Sequence, residues 1–351
     1  MKKTFKILLL FVFMFLVVLK VDAKEKFQEE WIKSYNYNDN NSDFWDVIVL
    51  KDGSIGVGER CYGDDYIYGG MIAKYDLTGN LVWKIENDEN YYLKISDVGD
   101  GFVVLTQVYL EEELDYFGYV LLQKYNYDGT KIWEKEIAKE EIGYDLIQLV
   151  SLDSLNDKIV LSFNNSVFVF DIEGNLLKQL SVEDLLLPSA TIGNDGIYVV
   201  GINANTADTV LTKYNLSSLE KELSKSVYKG SIDENDDIID MSLTLDIEYV
   251  KGNIVISSYD SSEKSSLSIY DNNFELLKKN EVDSIVFEIQ RYKDKFITVG
   301  REHDNNPRGI AVDLLNYINN LEEFKFDIED AKIRESVIFH INIFNNCFCS
   351  F

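Results

Sequence analysis

The sequence has little of what builds metal centres or disulfide frameworks: two His and three Cys in 351 residues. A structural zinc site takes four His or Cys ligands at close spacing, and small disulfide-stapled domains are dense in Cys. Here Cys61 stands alone, and Cys347 and Cys349 flank a single Phe. An odd count leaves at least one thiol free unless chains pair. Proline is nearly absent, with two residues, which excludes Pro-rich linkers. Basic residues are few: 34 Lys and Arg face 61 Asp and Glu, a formal net charge of −27. A phosphate-binding surface is basic, so nucleic acid is excluded as a partner. What is plentiful is apolar and aromatic: 46% hydrophobic residues, 22 Tyr and 20 Phe. That composition excludes a disordered chain and reads as rich in strands.

A long apolar run occurs once, at the start. Lys2, Lys3 and Lys6 precede thirteen apolar residues, Ile7 to Leu19, and Val21-Asp22-Ala23 places small residues at −3 and −1 of a cleavage site. This is the layout of a secretory signal peptide over residues 1–23, and the run is short of the roughly 20 apolar residues of a spanning helix. An uncleaved N-terminal anchor is the alternative. Residues 24–351 are then a single exported domain with no later transmembrane segment, secreted or associated with the cell surface. It would carry 30 basic and 60 acidic residues, a net charge of −30.

The remainder repeats itself. Residues 71–84 contain Lys74-Tyr75-Asp76, a Thr78-Gly79-Asn80 turn and Trp83-Lys84. Residues 121–135 and 167–178 repeat this unit, weaker copies follow at 210–221 and 267–278, and a degenerate one begins at Ile310. Each reads as strand, short Gly- or Asn-containing turn, strand. A second hairpin precedes each, with turns at Asp52-Gly53, Asp100-Gly101, Asp195-Gly196, Lys251-Gly252 and Lys293-Asp294. The small residues Gly58, Thr106, Ser162, Gly201, Ser257 and Gly300 that end the strands after these turns recur with a mean period of about 48. Four short strands at that period predict an all-β fold, a β-propeller. A four-stranded blade has two apolar faces and buries them only against neighbouring blades.

The Trp residues at 31, 83 and 133 are spaced by 52 and 50. Residue 31 therefore belongs to the outer strand of a blade completed from the other terminus. Residues 284–296 and 336–348 share Ser, Phe, Ile and Phe in register. Residues 336–351 thus read as the start of an incomplete seventh blade after six four-stranded ones, in a single domain over 24–351. A six-bladed ring with a C-terminal tail is the alternative.

The repeat, Lys-Tyr-Asp-x-x-Gly-Asn-x-x-Trp-x-Lys, resembles that of a bacterial secreted β-propeller family within the quinoprotein-like (PQQ-like) propeller superfamily, and is more loosely WD40-like. The resemblance covers residues 27–330. Asp76, Thr78, Gly79 and Trp83 resemble the tryptophan-docking motif of quinoprotein blades; Asp128, Gly129 and Trp133 keep less of it, and later blades lose the Trp. The resemblance implies that these residues are structural, the Trp packing between blades. It supports the fold and says little of activity.

Catalytic constellations are hard to find. The long quinone-dependent dehydrogenases of this fold use a calcium site and a dedicated base for which no residues are identified here. Sialidase-like chemistry needs an arginine cluster for a carboxylate; Arg60 and Arg301 fall at equivalent places in blades one and six, with His303 beside the latter. His340 reads as structural. The acidic runs 111–115 and 233–237 read as solvated loops rather than calcium sites. No cofactor and no metal are expected. Connections between second and third strands, and between blades, share one face, whereas the other face carries tight turns. Binding residues usually lie on such loops, which makes Arg60, Tyr62, Asp64, Asp65, Tyr66, Arg301 and His303 the candidate ligand-binding set. Tyr, Asn and Asp there suit a glycan or a protein partner at the cell surface. The leading expectation is a non-enzymatic binding or scaffold propeller. A carbohydrate-active or quinone-dependent enzyme, or a truncated gene product without independent function, are the alternatives.

Overall fold

The computed structural model describes residues 28–32, 42–62, 67–88, 90–109, 117–141, 150–163, 165–182, 184–233, 238–260, 265–282, 284–292, 295–302, 307–313, 324–327, 341–344 and 347–350. The expected leader, residues 1–23, lies outside them, as do residues 234–237 of the second acidic run and residues 336–340, including His340. All 29 described elements are strands. No helix among the described residues is long and apolar enough to cross a membrane.

Blade 1 is built from β2 (Ser42–Leu50), β3 (Gly53–Tyr62), β4 (Ile67–Asp76) and β5 (Leu81–Asn87). Blade 2 follows with β6 (Asn90–Asp97), β7 (Phe102–Tyr109), β8 (Phe117–Tyr125) and β9 (Lys131–Glu141). Blade 3 has β10 (Ser151–Leu155), β11 (Lys158–Phe163), β12 (Ser166–Asp171) and β13 (Leu176–Leu180). Blade 4 has β14 (Leu185–Gly193), β15 (Gly196–Asn203), β16 (Thr209–Tyr214) and β17 (Lys221–Tyr228). A small ribbon of β18 (Ser231–Ile232) and β19 (Ile238–Asp240) leads into blade 5, with β20 (Ser242–Val250), β21 (Asn253–Asp260), β22 (Ser265–Asp271) and β23 (Leu276–Val282). Blade 6 has β24 (Ser284–Tyr292), β25 (Lys295–Glu302), β26 (Pro307–Asp313) and β27 (Phe324–Asp327).

These six sheets are antiparallel throughout and keep their strands in chain order. A seventh sheet joins β28 (Ile341–Phe344) and β29 (Cys347–Ser350) to β1 (Gln28–Ile32). The innermost strands adjoin one another in sequence, β2, β6, β10, β14, β20, β24 and β28, and β28 lies beside β2 again. That circle is a β-propeller with six four-stranded blades and a partial seventh, as the 48-residue period predicts.

The core lies between blades rather than within one. Ile55, Val57 and Ile72 of blade 1 pack on Tyr92, Ile95, Phe102 and Val104 of blade 2. Comparable clusters join blades 2 and 3, 3 and 4, 4 and 5, and 5 and 6. This is why central strands such as Ile197–Val200 are apolar on both faces and fully buried.

The turns between third and fourth strands of blades 2 to 5 lock each of these blades to the one before it. Asp76 Oδ1 accepts the N–H of Thr78 and of Asn80, and Asn126, Asp171 and Asp271 hold their turns in the same way. One residue of each turn is left-handed: Gly79, Gly129 and Gly174 in blades 1–3, with φ of 75, 87 and 77°. The indole N–H of Trp83 donates to Tyr127 O at 3.2 Å, and that of Trp133 to Ile172 O at 3.1 Å. Each ring rests on the next blade's turn Gly: a Cβ on Gly129 would meet Trp83 at 3.4 Å, and one on Gly174 would meet Trp133 at 3.0 Å. The expected packing of Trp between blades is therefore present.

Where the Trp is lost, the contact is rebuilt. Lys178 and Leu223 stand at the Trp register. The left-handed turn position of the following blade is then Leu219 (φ 57°) or Phe274 (φ 62°), both buried. Leu219 joins the cluster between blades 3 and 4, and Phe274 the one between 4 and 5. Lysines replace the indole donors: Lys178 Nζ donates to Leu219 O at 3.0 Å, and Lys225 Nζ to Phe274 O at 3.1 Å.

Candidate functional site

The innermost strands leave one edge unpaired around a central channel, and orphan N–H groups there need acceptors. The sequence supplies them from inside the strands. A β-bulge precedes Asp46, Lys94, Ser189, Asp246 and Glu288, and bulges re-aim side chains. Asp46 Oδ2 accepts the N–H of Ile95 in the next blade at 2.9 Å, and Asp246 Oδ2 that of Ile289 at 2.6 Å. Ser151 Oγ accepts from Ala190 N–H at 2.9 Å, Asp153 Oδ2 from Ile192 N–H at 3.0 Å and Thr191 Oγ1 from Tyr249 N–H at 3.3 Å. Every one of these bonds runs from a blade's side chain to the following blade's backbone.

Blade 6 also reaches across the axis. Glu288 Oε2 meets Lys94 Nζ of blade 2 at 2.9 Å. Gln290 Nε2 donates to Val47 O of blade 1 at 3.1 Å. Arg291 reaches three other blades, donating to Tyr249 O at 3.2 Å and Ile192 O at 3.4 Å and lying 3.4 Å from Glu248 and 3.5 Å from Asp153. These groups line a cavity of about 330 Å³ together with Ser96, Asp97, Ser154 and Ala190.

Carboxylates outnumber cations here, and the acids respond. Burial pushes the Asp246 carboxyl up to about 8, reinforced by the Glu288 carboxylate; Lys94 and two backbone N–H groups oppose the shift. Burial also holds Glu248 well above the usual carboxylate range, with Arg291 pulling the other way. Burial works against the Lys94 charge, but Glu288, Asp46 and Asp246 outweigh it and raise its pKa. Arg291 is raised chiefly by Glu248.

The loop-rich face was the sequence expectation. Arg60 lies two residues before the end of β3, paired in the ladder with Ser42 and Gly69, and Tyr62 at its end pairs with Ile67. Arg301 holds the corresponding place in β25, paired with Ile285 and Pro307. The two arginines thus occupy equivalent backbone positions in blades that flank the seventh sheet instead of adjoining. Asp64, Asp65, Tyr66 and His303 lie outside the described residues.

Among the described residues no group of three His, Cys, Asp or Glu is placed to hold a metal. The channel carboxylates are directed at backbone N–H groups and at Lys94 or Arg291. They do not fit the calcium-supported quinone site of the long dehydrogenases. Sequence reasoning missed this channel. Its signal was a charge set between a large apolar and a β-branched residue, as in Trp45-Asp46-Val47, Leu93-Lys94-Ile95, Leu245-Asp246-Ile247 and Phe287-Glu288-Ile289.

No known family profile matches the chain, and no curated protein matches it. Solved structures do, at low identity. The chain is similar to Kuenenia stuttgartiensis hydrazine synthase, with 9% identity and a TM-score of 0.54 over 82% of this chain and 81% of that one. A prolyl endopeptidase matches with 12% identity and a TM-score of 0.51 over 78% of this chain and 39% of that one. The β-propeller domain of the Trilobed protease from Pyrococcus furiosus matches with 12% identity and a TM-score of 0.45, covering 84% and 98%. Identities this low speak for the β-propeller fold and not for an activity.

Proposed function

We propose that this chain is a non-enzymatic binding or scaffold propeller, exported and held at or beyond the cell surface. The observation that carries the reading is the use of the channel groups. The carboxylates of Asp46, Asp153 and Asp246 and the hydroxyls of Ser151 and Thr191 are engaged in joining blades, as Asp46 to Ile95 and Asp246 to Ile289 are. A nucleophile or base must instead be free to meet a substrate proton. Recognition then falls to the loop-rich face, with Arg60, Tyr62, Asp64, Asp65, Tyr66, Arg301 and His303 as the set to test against a protein or glycan.

A glycan and peptidoglycan array, run with product analysis, tests this. Retention without turnover supports it; release of a cleaved or oxidised product overturns it. Alanine at the seven positions should abolish retention while preserving the thermal transition. Retention unchanged in that variant would move the site elsewhere. Export is checked by mass spectrometry of secreted material, which should begin at Lys24; intact Met1 on cytosolic protein would contradict it.

A further inference from the structure

Among the described residues ten large apolar side chains are exposed. Eight belong to the repeat: they lie in or just after the turns between third and fourth strands, as Leu81, Val82, Leu176 and Leu177 do, where a bulge opens the fourth strand. The other two, Ile238 and Ile239, are adjacent in β19, in the ribbon between blades 4 and 5. No other described connection between blades carries a ribbon. Ser231 pairs with Asp240 and Ile232 with Ile238, so Ile239 is the extra residue of a bulge, a device that re-aims side chains. At 61% it is the most exposed large apolar side chain among the described residues.

A two-stranded ribbon is marginal on its own in water, and this one is tied down at its base. Tyr228 of β17 donates its hydroxyl to both carboxylate oxygens of Asp240, at 2.9 and 3.0 Å. Asp208, itself buried, accepts the Gly230 N–H at 3.1 Å and pairs with Lys229 at 2.6 Å. A Cβ on Gly230 would meet Ala207 O at 2.1 Å. Ala207 in turn is left-handed, with φ 58°, which is uncommon for a residue with a Cβ. Yet Ile232, Ile238 and Ile239 join none of the apolar clusters between blades described above. A strained footing beneath a segment that adds nothing to the core points to what that segment presents.

Its surroundings set the chemistry of the partner. Residues 230–240 hold five acids and no Lys or Arg. The basic neighbours are engaged: Lys229 with Asp208, and Lys279 over the Tyr228 ring, 5.6 Å from its centroid. An apolar pair set among carboxylates is matched by an apolar surface set among cations. A second copy of this chain, at −27, or an anionic membrane would bring like charge to the ribbon. An amphipathic helix whose apolar stripe is flanked by Lys and Arg carries both required features on one side.

We propose that the β18–β19 ribbon docks on a basic amphipathic helix of a partner protein, with Ile238 and Ile239 against its apolar stripe. The inference rests on the reading of this chain as a binding propeller and names the chemistry of one partner. None of the seven loop residues set out above lies in the ribbon.

The probe is a fluorescent synthetic helix of Leu and Lys, titrated against the full chain by anisotropy. Saturable binding below about 100 μM is expected, with slowed amide exchange at residues 231–232 and 238–240. Ile238→Ser with Ile239→Ser should weaken binding about tenfold or more and preserve the thermal transition. Leu176→Ser with Leu177→Ser, which removes comparably exposed side chains at the same net charge, should leave binding unchanged. The same helix with Glu in place of Lys should not bind. Equal binding by the two double variants, binding of the Glu helix, or Ile-dependent binding to phosphatidylglycerol vesicles would overturn the proposal. So would loss of helix binding in the seven-alanine variant with the ribbon variant intact, which would leave the binding-propeller reading standing. Product release on the array would instead sink that reading, whatever the helix does.

Discussion

Asp246 shows what a buried acid does in this fold. Its carboxyl accepts from Ile247 N–H and Ile289 N–H, yet burial and the Glu288 carboxylate raise its pKa to about 8. In the unfolded chain the group titrates near the ordinary 3.8. Between those values the folded state holds the extra proton, so the contribution of Asp246 to stability falls as pH rises. Glu248 acts in the same direction. Denaturant midpoints measured at pH 5 and pH 8 should therefore favour pH 5. Asp246→Asn, which still offers an acceptor oxygen, should reduce that difference. An unchanged difference in the variant would show that Asp246 stays ionised across this range. The exposed turn carboxylate of Asp76 behaves oppositely: it is lowered to about 2 by the N–H of Asn80 and the Thr78 hydroxyl, so its contribution is lost only in acid.

At the scale of the element, the unit that recurs from blade to blade is a pair formed by one blade's fourth strand and the next blade's turn. Trp83 with Gly129 and Trp133 with Gly174 are one solution; Lys178 with Leu219 and Leu223 with Phe274 are the other. A left-handed backbone costs a bulky residue about 1–2 kcal/mol, and burying its side chain returns about 2–3 kcal/mol. The solutions should be interchangeable only as pairs. Leu219→Gly alone should lower stability by about 1–2 kcal/mol, and Lys178→Trp alone should crowd Leu219. Together they should recover a coupling of about 1–2 kcal/mol in a double-mutant cycle of urea unfolding. Strict additivity would show that the two positions do not share a space.

The same elements show what was legible beforehand. Strands and turns could be read because Gly79, Gly129 and the Lys-Tyr-Asp copies punctuate them locally. Leu219 and Phe274 were opaque because their reason lies in a residue one blade earlier. The channel charges were opaque too, since Asp46 or Glu288 inside an apolar strand reads as an outward-facing position until a bulge turns it to the axis.

For the whole molecule, the ring gathers charge of one sign on a rigid frame. With a formal charge of −27, a cationic partner on the loop-rich face should associate faster at low salt. Its on-rate should fall as the Debye length shortens from ~10 Å at 0.1 M to ~3 Å at 1 M. A rate indifferent to salt in stopped-flow mixing would point to an apolar contact. The six four-stranded blades could be read from the repeat period, and the outer-strand place of β1 from the Trp spacing, while a six-bladed closure stayed an alternative. The parallel pairing of β1 with β29 could not be read, because it joins two segments more than 300 residues apart.

The inter-blade bonds that run forward along the chain set a timetable for synthesis. Trp83 finds its carbonyl 44 residues later, Trp133 39 later, Lys178 41 later and Lys225 49 later. Asp46 and Asp246 wait 49 and 43 residues for their amides. At about 5–20 residues per second on the ribosome, each newly made blade stays unlatched for roughly 2–10 s until its successor emerges. Blade 1 waits longest of all, since it ends at Asn87 and its other neighbour, β28, begins only at Ile341. Through that interval its open flank is the surface that a chaperone would have to cover.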